Sequence, residues 1–123
     1  MKDVKDKVAE LDRLIAECDR CMATELTNDI NGLLEHLTKS CTLLSLQGRI
    51  MELAVHIFDW AKGQAKDRVD KDLKLELMRY ALAGILSPYS AKYERAERTV
   101  KSFQTYIDGL RTIISAEKDL AKI

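Results

Sequence analysis

Three stretches of this chain carry residue types that could do chemistry. In the first, Cys18 and Cys21 of "CDRC" stand with His36 and Cys41 in a C-x2-C-x14-H-x4-C order. Zinc takes four such ligands in a tetrahedron, and a helical hairpin can bring them together. Against this, Cys18 and Cys41 fall on apolar stripes, where cysteine behaves as a small hydrophobe. His36 and Cys41, five positions apart, diverge around a helix. A redox pair is also disfavoured, because a thioredoxin-like CxxC belongs to a βαβ context. In the second stretch, Glu52, His56 and Asp59 share one helical face with Arg49. A carboxylate-bridged metal site in a bundle needs a matching set on another helix, and the sequence offers none. Neither a Gly-rich phosphate loop nor a nucleophile elbow is present. The expectation is a chain that is not an enzyme and carries no metal and no cofactor.

The third stretch is "WAKGQAKDR", residues 60–68, which places Trp60 among Lys62, Lys66 and Arg68. Single-stranded nucleic acid is held by bases stacking on aromatic rings while cations meet the phosphates. These four residues are therefore a candidate nucleic-acid-binding set, with Arg95, Arg98 and Lys101 as a candidate extension. Trp60 lies two positions off the apolar stripe, where a surface aromatic would sit. The alternative is a tryptophan that packs at a subunit contact.

The elements that must position these residues are helices. The chain has 123 residues, with 33% charged residues, 5 glycines and 1 proline, a mixture that suits long helices with charged outer faces. One domain spanning 1–123 is the default at this length. No apolar run is long enough to span a membrane, and the odd count of 3 cysteines points to a reducing, cytoplasmic setting. Residues 1–60 hold 7 Lys/Arg against 11 Asp/Glu, a net −4, and residues 61–123 hold 13 against 9, a net +4. The halves can attract each other, or the basic half can meet an anion.

The fold class expected is all-α, a heptad-patterned bundle of three to four helices with long second and last members. Val4, Val8, Leu11, Ile15, Cys18 and Met22 alternate spacings of 4 and 3 and predict a helix over about 3–23. "TELTND" interrupts it, with Thr27 or Asn28 as the next cap. Ile30, Leu34, Leu37, Cys41, Leu44, Gly48, Met51, Val55 and Phe58 predict a second helix over about 29–63. Leu33, Leu43 and Ile57 widen its stripe. Gly48 on that stripe implies a partner helix in close approach, because an interior glycine otherwise costs about 1 kcal/mol. A turn or frayed segment is expected over about 62–72 and a third helix over about 72–86. Ser87-Pro88 suits a helix start, with serine capping and proline at the first position, so a fourth helix is expected over about 88–121.

That layout leaves Phe103, Ile107, Leu110 and Ile114 facing water in a single copy. Each such side chain is worth about 1.5–3 kcal/mol when buried, so these four are the expected interface of a homo-oligomer.

Two resemblances add functional expectations. Arg49 and His56 form R-x6-H, which resembles the short RNase motif of HEPN helical domains, with Ile50 where that family usually carries a polar residue. The ending "YERAERTVKSFQTYIDGLRTIISAEKDLAKI" resembles the C-terminal helix of small phage and prophage proteins, and "FDWAKG" is similar to their middle helix. Among characterised families the layout is most similar to the UvsY recombination mediators, over roughly 90 residues of heptad pattern. The resemblance implies a phage-type accessory protein that oligomerises and binds single-stranded DNA or a recombinase. Trp60, Lys62, Lys66 and Arg68 match its basic region in character. A structural or adaptor oligomer with no nucleic-acid contact and a HEPN-like RNase are the alternatives.

Overall fold

The computed structural model describes residues 2–27, 29–69 and 73–122. Asn28, and the part of the expected turn at 70–72, lie outside the described residues. The described residues form an all-α bundle of four elements: α1 (Lys2–Ala23), α2 (Ile30–Leu44), α3 (Gln47–Arg68) and α4 (Leu75–Ala121). Among the described residues no helix is long and apolar enough to cross a membrane.

Asp29 caps α2, its side chain accepting from the Asn31 N–H at 3.3 Å. The expected cap residue Thr27 instead folds its hydroxyl over Gly32, where a Cβ would meet it.

The expected second helix is two pieces. At Ser45 and Leu46 the ladder tightens once: Ser45 N–H still reaches the Cys41 carbonyl at 3.1 Å, but Leu46 N–H takes Leu43 at 3.0 Å, an i−3 bond. Helix resumes when Ile50 N–H bonds the Leu46 carbonyl. It then continues to Arg68, through the first part of the segment expected to be a turn.

α4 corrects the expected break at Ser87-Pro88. It runs unbroken for 47 residues with Pro88 inside it, about 70 Å at 1.5 Å per residue. Proline removes the bond to the carbonyl four residues back and crowds it. Here that residue is Gly84, and both Gly84 and Pro88 are exposed, so water can take the freed carbonyl. The expected third and fourth helices are therefore one.

Pairings along the chain give the topology. Asp12 meets Lys92 at 2.7 Å, Asp19 meets Arg95 at 3.0 Å, and Cys21 meets Tyr106, so α1 runs parallel to α4. Phe58 packs on Tyr93 and Trp60 on Tyr89, so α3 is antiparallel to α4. α2 continues that direction, with His36 on Tyr106. The acidic first half and the basic second half thus meet at two ion pairs between α1 and α4.

The main core joins Leu11, Leu14, Ile15 and Cys18 of α1 to Ile50, Leu53, Ala54 and Ile57 of α3 and Ala96, Phe103 and Ile107 of α4. Leu33, Leu110 and Ile114 form a smaller cluster between α2 and α4. Phe103, Ile107, Leu110 and Ile114 are 0%, 1%, 1% and 4% exposed. This corrects the expectation that they face water. With α4 continuous, its second half lies beside α1, α2 and α3 instead of overshooting them, and the chain covers these four itself.

The seam of the α2–α3 rod is also rotated from the expected one. Leu33, Ser40, Gln47, Ala54 and Ala61 are buried at strict intervals of seven, while Val55 is 39% exposed and Gly48 is exposed. A Cβ on Gly48 would meet nothing within 4 Å, so no helix approaches there. The two polar members of the true seam are hydrogen-bonded. Ser40 donates to the His36 carbonyl at 2.8 Å, and Gln47 donates to the Leu43 carbonyl at 2.9 Å.

Candidate nucleic-acid interface

The end of α3, the start of α1 and the middle of α4 meet around Trp60. Trp60 is half-buried, its ring 6.0 Å from Tyr89 at 70°, an edge-to-face pair. Val4, Lys5, Val8 and Arg68 complete a groove of about 350 Å³ around these two rings. Lys5 and Arg68 are exposed, so two cations flank an aromatic floor. Trp60 and Arg68 are eight residues apart, about 80° around one helix face. Among the described residues no carboxylate lies within 4.0 Å of Lys5, Arg98 or Lys101.

The remaining candidate cations are dispersed. Lys62 sits 4.6 Å over the Phe58 ring and 3.7 Å from Asp59, engaged on its own helix. Lys66 borders a different groove, with Val69, Met78 and Leu82. Arg95 is held by Asp19, and Arg98 lies beside that pair in a third groove with Met22 and Ser102. Lys101 is exposed on the same helix. The structure thus unites Trp60 and Arg68 and separates both from the α4 row. Two groove residues were absent from the sequence-derived set. Tyr89 stands just after Pro88, 29 residues along the chain from Trp60. Lys5 stands between Val4 and Val8, and only the packing of α1 against α3 brings it to Trp60.

The other chemical candidates are committed to structure. Arg49 makes a bidentate pair with Glu10, at 3.0 Å from Nε and 2.9 Å from Nη2, and a third bond to Glu52 at 3.3 Å. These hydrogen bonds, then the Arg49 charge, hold the Glu10 carboxyl below its ordinary range against an opposing effect of burial. His56 of the R-x6-H pair is exposed.

The cysteines join a polar network where α1, α2 and α4 meet. Tyr106 donates its hydroxyl to the Cys21 carbonyl at 3.3 Å and also contacts His36 Nε2. Ser40 gives its proton to the His36 backbone carbonyl, so the Cys21 thiol, 3.2 Å away, donates to Ser40 Oγ. Burial pushes the Cys18 thiol and the Tyr106 hydroxyl up from their ordinary values. Among the described residues no group of three or more His, Cys, Asp or Glu side chains is placed to hold a metal ion.

Comparison with protein-family models, curated proteins and solved structures finds no match to this chain.

Proposed function

We propose that the chain is a non-enzymatic, phage-type accessory protein that acts in the cytoplasm as an assembly of copies and binds single-stranded DNA, or the recombinase that coats it. The observation that carries this reading is the groove in which Trp60 and Tyr89 lie between Lys5 and Arg68. A base stacked on an aromatic floor contributes about 1–3 kcal/mol, and each phosphate neutralised by a flanking cation releases counterions. The similarity of residues 93–123 and of "FDWAKG" to small phage and prophage proteins, and of the overall helical layout to the UvsY recombination mediators, supports the same reading. A neutral chain offers few phosphate contacts per copy, so useful affinity comes from several copies along one strand.

Trp60 is the only tryptophan, so its fluorescence reports the groove directly. Titration with an oligo-dT strand is expected to quench it, with affinity that falls as salt rises. Arg68→Glu with Lys5→Glu is expected to abolish binding while helical content stays unchanged. Unchanged fluorescence at saturating oligonucleotide and low salt refutes the nucleic-acid reading. It would leave the adaptor-type oligomer, which the exposed uncharged face of α4 favours.

A further inference from the structure

The outward face of α4 changes character along its length. From residue 94 onward, the exposed positions of α4 include Glu94, Arg98 and Lys101. From Tyr80 to Ala91 the helix contains no charged residue at all, in a chain that is 33% charged. Leu77, Tyr80, Gly84, Ser87 and Ala91 follow one another at intervals of 3, 4, 3 and 4, and all five are exposed. Tyr80 is 83% exposed and Leu77 56%. Leu75, 62% exposed, lies on the other side of the helix, about 160° from Leu77.

This stripe is graded by size, with large side chains first and small ones after. Gly84 lies in a helix interior, where glycine is unfavourable, and a Cβ there would meet nothing within 4 Å. Gly84 also carries the carbonyl that Pro88 crowds. An antiparallel copy of the same segment gives its bare surface a second use. With a two-fold axis near residue 82, Tyr80 lies on the partner's Gly84 and Leu77 on the partner's Ser87. The large half of each helix then fills the small half of the other. Self-complementarity of this kind is what an isologous interface requires, and the lack of charge lets the two faces meet without desolvating an ion.

We infer that the Leu77–Ala91 face of α4 is the contact through which two copies of this chain pair antiparallel. The inference deepens the assembly part of the proposed function and rests on it, but it involves no nucleic acid. Tyr80 alone offers about 150–250 Å², and with Leu77 and the small residues after it the patch lies at the low end of the range for a specific interface. The dimer is accordingly a weak one, with Kd roughly in the micromolar range.

Sedimentation of the full chain without DNA, from micromolar to several hundred micromolar, tests this. The expected result is conversion to twice the 14.0 kDa of one chain, with loss of the dimer in Tyr80→Lys and in Gly84→Glu. Both positions are exposed, so circular dichroism should be unchanged. In a Cys21→Ser, Cys41→Ser background, a chain with Tyr80→Cys and one with Gly84→Cys are expected to cross-link to each other more readily than either does to itself. A wild-type chain that stays monomeric, an oligomer indifferent to both charge variants, or preferred self-cross-linking of the Tyr80→Cys chain overturns the pairing. Oligonucleotide binding by a chain that stays monomeric would sink this pairing and the assembly part of the proposed function while leaving the groove, and a dimer blind to oligonucleotide would sink the groove alone.

Discussion

Arg49 grips Glu10 with two hydrogen bonds, 3.0 and 2.9 Å long, and so fastens the start of α3 to the middle of α1. The arginine that could have served phosphate chemistry is used in an interhelical clamp. The Glu10 carboxyl is lowered by those bonds. Because the folded value lies below the unfolded one, the clamp stabilises fully above the unfolded carboxylate value, about 4.3. Its contribution is lost as pH falls from there through the folded value. Arg49 is shifted upward, so its side of the pair stays charged throughout that window. Urea midpoints of wild type and Glu10→Gln are expected to differ at neutral pH and to converge as pH drops below about 4.3. Parallel curves would mean that the clamp contributes nothing.

Packing along α3 distinguishes two neighbouring residues. Leu53 is fully buried and Val55 is 39% exposed. Leu53→Ala is expected to destabilise by about 2–5 kcal/mol and Val55→Ala to stay within about 0.5 kcal/mol, both read by chemical denaturation. Similar losses at both sites would restore the seam that apolar spacing alone suggests.

Two helix-breaking residues sit where no tertiary contact needs them. Gly48 is exposed and open around its Cα, so Gly48→Ala should stabilise by up to about 1 kcal/mol. Pro88→Ala restores the bond to the Gly84 carbonyl and should raise stability by up to about 3 kcal/mol. A loss of stability in Pro88→Ala would show that α4 relies on a bend at that point.

Tyr106 ties α4 to the end of α1 through the Cys21 carbonyl. Tyr106→Phe keeps the ring, which stacks on Phe103 at 6.1 Å, and removes only the hydroxyl. The expected cost is about 1 kcal/mol, measured as a shifted denaturation midpoint. No change would mean that water replaces the hydroxyl freely.

The three thiols should separate by reactivity. Cys18 is 1% exposed and burial disfavours its thiolate, whereas Cys21 and Cys41 are partly exposed. Only the thiolate reacts, so timed alkylation read by mass spectrometry should label Cys21 and Cys41 well before Cys18. Equal rates would mean that α1 opens readily.

Local periodicity was enough to determine that this chain is all-α, where α1 lies, and that Phe103, Ile107, Leu110 and Ile114 form one apolar face of α4. Those segments obey one 4/3 rhythm made of apolar residues, and apolar surface must leave water whatever it packs against. The candidate site was half legible for a similar reason. Trp60 and Arg68 lie within one short basic stretch, but Lys5 and Tyr89 come from helices far away in sequence. Three features were decided by tertiary structure alone. The seam of α2 and α3 passes through Ser40 and Gln47, whose polarity hides it from any apolar count; the Ser40 hydroxyl and the Gln47 amide nitrogen find partners in neighbouring carbonyls and thiols, while the Gln47 Oε1 is buried without one. α4 continues through Pro88 because the carbonyl it frees faces water and packing on either side holds the helix together. Phe103, Ile107, Leu110 and Ile114 are covered within one chain because that continuity lays the second half of α4 along the rest of the bundle. Spacing in sequence shows that a face must be buried, but only the arrangement of whole helices in space shows what buries it.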